Sequence, residues 1–245
     1  SEFGYDPHKF RLASTFFDPN FAGAFLTFVF VLLLGNRKYL DKKPFWAFAM
    51  FLLLCIVLTF SRSAWLFLGA SIFIFGIFKY RALLFLGIFA AFLAYFAVPR
   101  IQTRLAGITD PADSAQFRII SWSNTYKIFE DNAWLGTGFN TFRYVQKDYG
   151  FFDVGSLGGN SGGGSDSSFL LVLATTGVFG FILFVFAYFV PAFLLLFQNK
   201  IKFETKLTIL ALIFGLLLNS QFINSFFFPQ ILFLYFVYFG IAELS

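Results

Sequence analysis

Long apolar stretches separated by short polar turns dominate the pattern of this chain. Most stretches hold roughly 16 to 29 residues, and about 20 apolar residues in a helix cross the hydrocarbon core of a bilayer. The pattern therefore predicts an all-α polytopic transmembrane helical bundle with about seven spans, in one membrane domain covering residues 1–245. The predicted spans are 21–34, 45–60, 64–78, 82–98, 168–197, 207–223 and 231–242.

The composition agrees with a membrane protein. The chain is 58% hydrophobic and 13% charged, whereas an average soluble domain is roughly 45 to 50% apolar and 25% charged. Phenylalanine alone accounts for 43 residues and lies on all faces of the apolar stretches. We assign it no function beyond facing lipid and neighbouring helices.

Single cysteine and histidine residues limit the possible chemistry. Cys55 and His8 are the only residues of their types, so an internal disulfide and a cysteine- or histidine-rich metal cluster are excluded. We expect no metal site and no cofactor. The chain opens at Ser1 without an initiator methionine or a signal-peptide pattern, which indicates the C-terminal part of a longer protein.

The basic residues of the short loops predict the orientation. By the positive-inside rule, short loops rich in lysine and arginine face the cytoplasm. The opposite side then holds the first twenty residues, Arg62 and the long segment 99–167, because loops this long are translocated largely regardless of charge. The basic residues on the predicted cytoplasmic side are Arg37, Lys38, Lys42, Lys43, Lys79, Arg81, Lys200, Lys202 and Lys206.

The external segment 99–167 is predicted to carry two short amphipathic helices. Asp113 or Ser114 can cap the first, and Asn140 can cap the second, which Gly150 ends. The two helices are predicted to form a lid. The glycine-rich stretch 155–164 is predicted to be a hinge or a mobile loop, since it lacks the lysine of a phosphate-binding loop.

Three arginines on the external side are candidate anion ligands. Arg62 lies in a three-residue polar notch between two apolar stretches, where an uncompensated charge is costly. Arg118 lies on the first external helix, and Arg11 precedes the Asp18-Pro19-Asn20 helix start. Arginine binds phosphate through planar paired donors. The alternative for each is a snorkelling or surface side chain.

Asp166, directly before the fifth span, is the candidate carboxylate. One interpretation is a helix N-cap, because aspartate and serine satisfy the unpaired backbone donors of a first turn. The other is a general base that takes a proton from a hydroxyl. Both hold if Ser165 or Ser167 provides the cap.

Four stretches of the chain resemble the O-antigen ligase and O-antigen polymerase superfamily of bacterial membrane glycosyltransferases. Their order and their placement at external helix ends carry the resemblance, which extends over most of the chain. The stretches are Arg11 to Ala22, Thr59 to Ala64, Arg118 to Trp122 with Trp134 to Phe139, and Asp166 to Leu170 with Thr176 to Gly180.

The resemblance implies a function at the outer face of the bacterial cytoplasmic membrane, in a multi-pass protein with an external active site. The glycan of an undecaprenyl-pyrophosphate donor would pass to an acceptor hydroxyl of a glycan or a lipid-linked acceptor, without a metal. Arg62 and Arg118 would bind the pyrophosphate. Ligases commonly carry a histidine where this chain has Asp166. The choice between ligase and polymerase stays open.

Two other classes remain as alternatives. A transporter or flippase of a lipid-linked or anionic solute would use the same arginines as a binding site, although such proteins usually place polar groups at the membrane midplane. A structural scaffold would leave the arginines and the lid without a role. The expected partners are the glycan donor, the acceptor and membrane lipid, and not nucleic acid.

Overall fold

The computed structural model describes residues 10–107, 114–151 and 164–244. Over these ranges the regular structure is helical, with ten α-helices and no strand. The helices are α1 Pro19–Gly35, α2 Lys42–Leu58, α3 Arg62–Phe78, α4 Arg81–Ala97, α5 Pro99–Ala106, α6 Ser114–Asp131, α7 Phe142–Asp148, α8 Ser168–Phe197, α9 Phe203–Asn219 and α10 Pro229–Leu244.

Every predicted apolar stretch coincides with a helix, which confirms the all-α class. By length and composition, α8 is the one described helix that is long and apolar enough to cross a membrane alone, with 30 residues. The pair α4 and α5 passes the same test together but bends by 96°. The other apolar helices are shorter, so the seven-span bundle stays a prediction.

The described residues form two compact units. The first unit contains residues 114–151, 164–190 and 220–224. The second contains residues 10–107, 191–219 and 225–244. The boundary inside α8 falls at Pro191, which interrupts the backbone hydrogen bonding of a helix because it has no N–H.

Helix α3 packs against α9 in the centre of the second unit. The two helices run antiparallel: Lys79, which follows α3, contacts Glu204 in the first turn of α9 at 2.6 Å. Near the other ends, the ring of Phe67 occupies the place that a Cβ at Gly215 would need. Phe67 is fully buried. The missing side chain thus lets an aromatic ring pack directly on the α9 backbone.

Helix α5 was not predicted from the sequence. The chain leaves α4 through Val98 in an extended conformation, and Pro99 takes the first position of α5. Proline suits that position because its missing N–H has no partner in a first turn and its φ is already helical. The short helix buries Ile101 and ends at Gly107.

The segment predicted to be external carries two helices of the first unit, and its external placement stays a prediction. Helices α6 and α7 lie where they were expected, and Gly150, with φ +70°, donates to the carbonyl of Lys147 and ends α7. The predicted cap at Asn140 is wrong, because Thr141 is the N-cap and Asn140 adopts φ +70° outside the helix. The predicted cap Asp113 and most of the glycine-rich stretch lie outside the described residues.

Candidate functional site

The predicted polar notch around Arg62 is a tight turn between α2 and α3. Phe60 adopts φ +48°, and Ser61 caps α3 by accepting a hydrogen bond from the N–H of Ala64. The hydroxyl of Ser61 also lies 3.1 Å from that of Ser63. Ser61 and Ser63 are buried. Arg62 therefore begins α3 on a turn whose polar groups are held in place.

Arg62 is half-buried and reaches the end of α5. Its Nη1 donates to the main-chain oxygen of Arg104 at 3.0 Å. The last carbonyls of a helix carry partial negative charge, so a guanidinium is favoured there. This contact explains how the fold tolerates the arginine, and it fixes the side chain in one direction.

Arg11 contacts the same turn. Its Nε donates to the carbonyl of Thr59 at 2.9 Å, and its Nη2 donates to that of Phe60 at 3.4 Å and to Asn20 Oδ1 at 3.0 Å. It thereby satisfies carbonyls at the C-terminal end of α2. Asp18 caps α1, as the sequence predicted, by accepting from the N–H groups of Asn20 and Phe21.

Sequence reasoning missed Arg100. Its guanidinium carbon lies 4.6 Å from the ring centroid of Phe60, a cation–π distance. Its Nη1 donates to the carbonyl of Phe10 at 2.7 Å. Arg100 follows Pro99 at the end of an apolar stretch, and the proline was the available signal for a helix that turns this arginine back towards the notch.

We call these four residues, Arg11, Arg62, Arg100 and Arg104, the basic corner of the second unit. All four are half-buried, and each contacts the 59–62 turn or the chain next to it. Arginine side chains are common ligands of phosphate groups, so the basic corner is a candidate anion site.

Asp166 lies in the first unit on a short linker that leads into α8. Its main-chain N–H donates to Ser121 Oγ at 3.2 Å, and its carbonyl accepts from Trp122 Nε1 at 3.4 Å. The hydroxyls of Ser165 and Thr125 lie 3.1 Å apart. Three side chains of α6 therefore hold the linker.

A serine rather than Asp166 caps α8. Ser167 Oγ accepts from the N–H of Leu170 at 3.4 Å. Ser167 therefore fills the role of helix N-cap, which was one of the two roles predicted for Asp166. Asp166 itself is half-buried.

Arg118 lies on the α6 face that contacts this linker. Residues three, four and seven positions apart share one face of a helix, and from Arg118 these positions are Ser121, Trp122 and Thr125. Arg118 is half-buried. Arg118 and Asp166 thus belong to one unit and to neighbouring chain segments, as do the residues that hold Asp166.

The loop 133–138, which follows α6, is joined to residues 174–178 of α8 by hydrogen bonds between the two main chains. We call this contact the interlock. Helix α8 is interrupted at Gly177, with φ +64° and ψ −170°. The N–H of Val178 donates to the carbonyl of Ala133, while Thr137 and Gly138 donate to the carbonyls of Ala174 and Thr175. The predicted lid is therefore joined to α8 by main-chain hydrogen bonds.

Two glycines make this interlock possible. A Cβ at Gly177 would overlap the carbonyl of Trp134, and a Cβ at Gly136, with φ +68°, would overlap the backbone of Thr175. Gly177 meets a loop backbone, and Gly180 packs against Thr176 of its own helix.

The described fold is helical, with one helix that is long and apolar enough to cross a membrane. A family model described as O-antigen ligase matches residues 47–185, more than half of the chain. The chain belongs to this family, which confirms the resemblance. Comparisons with curated proteins and with solved structures found no match.

Family membership indicates a glycosyltransferase-like enzyme of polysaccharide biosynthesis that acts on lipid-linked glycans. It does not favour the transporter alternative. Among the described residues, no group of three or more histidine, cysteine, aspartate or glutamate side chains is placed to hold a metal ion. Independence of metal stays a prediction.

Proposed function

We propose that this protein transfers a glycan from an undecaprenyl-pyrophosphate carrier to an acceptor hydroxyl at the outer face of the bacterial cytoplasmic membrane. One observation carries the proposal: the family match covers residues 47–185, a range that includes Arg62, Arg118 and Asp166. Arg11 lies outside that range. Its three hydrogen bonds to the 59–60 turn and Asn20 give it a structural task besides its proposed role as an anion ligand.

In the proposed reaction, the acceptor oxygen attacks the anomeric carbon of the donor glycan. The bond from that carbon to the pyrophosphate oxygen breaks, and the pyrophosphate leaves with the electron pair. Arg62 and Arg118 each supply positive charge to the leaving group, which is usually the largest contribution such a site makes. Asp166 takes the proton of the attacking hydroxyl. A single displacement inverts the anomeric centre.

The local contacts support these roles. Arg62 is held at the start of α3 by Arg104 and by the capped turn. Asp166 is held by Ser121 and Trp122 through its main chain, which leaves its side chain outside the capping bonds. Preorganised charge needs no rearrangement during the reaction, so rigid support of this kind favours catalysis.

The test uses the full chain reconstituted in lipid nanodiscs with a fluorescent undecaprenyl-pyrophosphate oligosaccharide. Arg62→Ala and Arg118→Ala are expected to lower transfer at least 100-fold, since each removes charge stabilisation of the leaving group. Lysine at either position is expected to restore part of the rate, because it keeps the charge and loses the paired donors. Asp166→Asn keeps the shape and is expected to lose transfer.

Arg81→Ala is the matched control, since Arg81 is an exposed arginine at the start of α4. It should transfer at the wild-type rate. Normal transfer by the Arg62 and Arg118 variants would overturn the proposal. Normal transfer by Asp166→Asn would remove Asp166 as the base and leave the pyrophosphate roles standing.

A further inference from the structure

The amide of Asn224 lies beside the linker that carries Asp166. Its Nδ2 donates to the main-chain oxygen of Ser165 at 2.6 Å. Both residues belong to the first unit. The contact reaches the residue directly before the proposed base, so Asn224 supports the linker that α6 also holds.

The other atom of the same amide is unsatisfied. Asn224 Oδ1 is buried and has no hydrogen-bond partner among the described residues. The two ends of the amide cannot be exchanged, because Ser165 presents a carbonyl and only the NH2 group can donate to it. A buried acceptor without a partner costs about 1 to 3 kcal/mol, so its position calls for a hydrogen-bond donor.

The short turn that carries Asn224 is fixed to the same linker. The N–H of Ser168 donates to the carbonyl of Ser220 at 2.9 Å, and Ser168 Oγ donates to that of Ile223 at 3.1 Å. The ring of Phe222 packs on Trp122, with centroids 5.7 Å apart. The position of Asn224 relative to Asp166 is therefore set by main-chain contacts and by packing.

The chemistry of the free acceptor selects its ligand. A carbonyl oxygen attracts hydrogen-bond donors and repels anions, so the pyrophosphate is excluded. A sugar hydroxyl is a neutral donor, and the proposed reaction brings such hydroxyls to Asp166. The exposed residue beside the amide is Gly164, where a Cβ would lie 3.4 Å from Asn224 Nδ2.

We propose that Asn224 binds a hydroxyl of the acceptor sugar through Oδ1 and positions the Asp166 linker through Nδ2. This inference rests on the proposed function, since it assigns the acceptor subsite of the same reaction. Asn224 thereby selects an acceptor that presents a second hydroxyl next to the one that reacts.

The experiment measures transfer by the nanodisc-embedded chain to a panel of octyl glycosides of common hexoses, with product detected by mass spectrometry. Asn224→Ala is expected to raise the acceptor KM about 3- to 10-fold, the usual effect of one hydrogen bond, with the donor KM unchanged. Asn224→Asp keeps an oxygen at the Oδ1 position and loses the donor to Ser165. It should keep the acceptor KM within about twofold and lower kcat.

Asn36→Ala is the control, because Asn36 also donates its Nδ2 to a main-chain carbonyl, that of Leu32 at 2.9 Å, far along the chain from Asp166. It should leave both KM values unchanged. Monodeoxy versions of the best acceptor add a second readout: the wild type should lose affinity when one particular hydroxyl is absent, and Asn224→Ala should not.

An unchanged acceptor KM in Asn224→Ala, with wild-type transfer intact, would overturn the inference and assign Oδ1 to a structural water only. If the alanine variant does not accumulate, the monodeoxy panel is applied to Asn224→Asp, whose preference for that hydroxyl should survive; its loss would also overturn the inference. Absence of transfer by the wild type to every acceptor would instead contradict the proposed function.

Discussion

The main-chain N–H of Asp166 donates a hydrogen bond to the hydroxyl of Ser121, 3.2 Å away. The next residue of α6, Trp122, donates its indole N–H to the main-chain oxygen of Asp166. Consecutive side chains thus satisfy both backbone groups of one residue, although 45 positions separate Ser121 from Asp166. The main chain of Asp166 is therefore held by the helix that also carries Arg118.

Ser121→Ala should therefore slow glycan transfer without weakening donor binding. The substitution leaves the N–H of Asp166 without its acceptor and lets the linker move, so we expect kcat to fall about 10-fold, the factor that corresponds to 1.4 kcal/mol. Steady-state kinetics in nanodiscs measure this. Ser123→Ala is the control, because Ser123 is an exposed serine on the same helix. Equal rates for the two variants would contradict the role of Ser121.

Gly177→Ala should destabilise the first unit. The new Cβ would meet the carbonyl of Trp134, and an alanine at φ +64° is itself strained. We expect a loss of at least about 2 kcal/mol in unfolding free energy, as for other changes that force a backbone apart. Thermal unfolding in detergent, followed by tryptophan fluorescence, gives the shift in Tm.

Gly240→Ala provides the comparison, since nothing lies within 4 Å of a Cβ built there. It lies inside α10 and should be neutral or stabilising, because alanine is the better helix former. The double variant Gly136→Ala with Gly177→Ala should cost less than the sum of the two, because both break one interlock. Full additivity would indicate separate contacts.

The sequence predicted the helices well because apolar runs of this length have few other structures available to them. It also placed Arg62 in a short polar break between two helices, since the notch interrupts an apolar pattern. These features depend on neighbouring residues alone. The capping of α1 by Asp18 follows from the same kind of local rule.

The contacts that complete the site could not be predicted in this way. Arg100 was assigned to an external loop. Pro99 is a local signal for the start of a helix, but it does not show that the chain bends by 96° or that the guanidinium lies over Phe60. Asn224 contacts Ser165 across 59 positions. Such pairs depend on the packing of whole helices, and a single sequence carries no record of that packing.

Replacement of Arg11 by alanine and replacement of Arg62 by alanine should have different effects on Tm and on transfer. Arg11→Ala removes three hydrogen bonds to the notch and its surroundings, so we expect a lower Tm together with reduced transfer. Arg62→Ala should leave Tm within a few degrees and abolish transfer. Inorganic pyrophosphate should inhibit the wild type, and lysine at position 62 should weaken that inhibition about 10-fold, because lysine lacks paired donors.

The comparison needs both measurements on the same preparations, with Arg81→Ala as the reference for an exposed arginine. A stable Arg11→Ala variant that has lost inhibition by pyrophosphate would assign Arg11 to the anion. A large drop in Tm for Arg62→Ala would assign Arg62 to the fold instead.

Lys79 should stabilise the α3–α9 pair in a way that depends on pH. Its ammonium donates to Glu204 at 2.6 Å, and this bond, followed by a main-chain bond of Glu204 itself, lowers the pKa of Glu204 from 4.5 to about 2. The folded-state pKa lies below the ordinary value. The stabilisation is therefore present above about pH 4.5 and is lost as the pH falls towards 2.

Lys79→Met should raise the pKa of Glu204 towards its ordinary value and lower Tm at neutral pH. Because Glu204 is partly exposed and Lys38 lies 3.7 Å from its other oxygen, the effect should be modest, within about 1 kcal/mol. The difference in Tm from the wild type should shrink between pH 4.5 and 2, whereas Lys43→Met, at an exposed lysine, should show no such change. A difference that stays constant over this range would mean that Lys79 acts through packing of its stem and not through its charge.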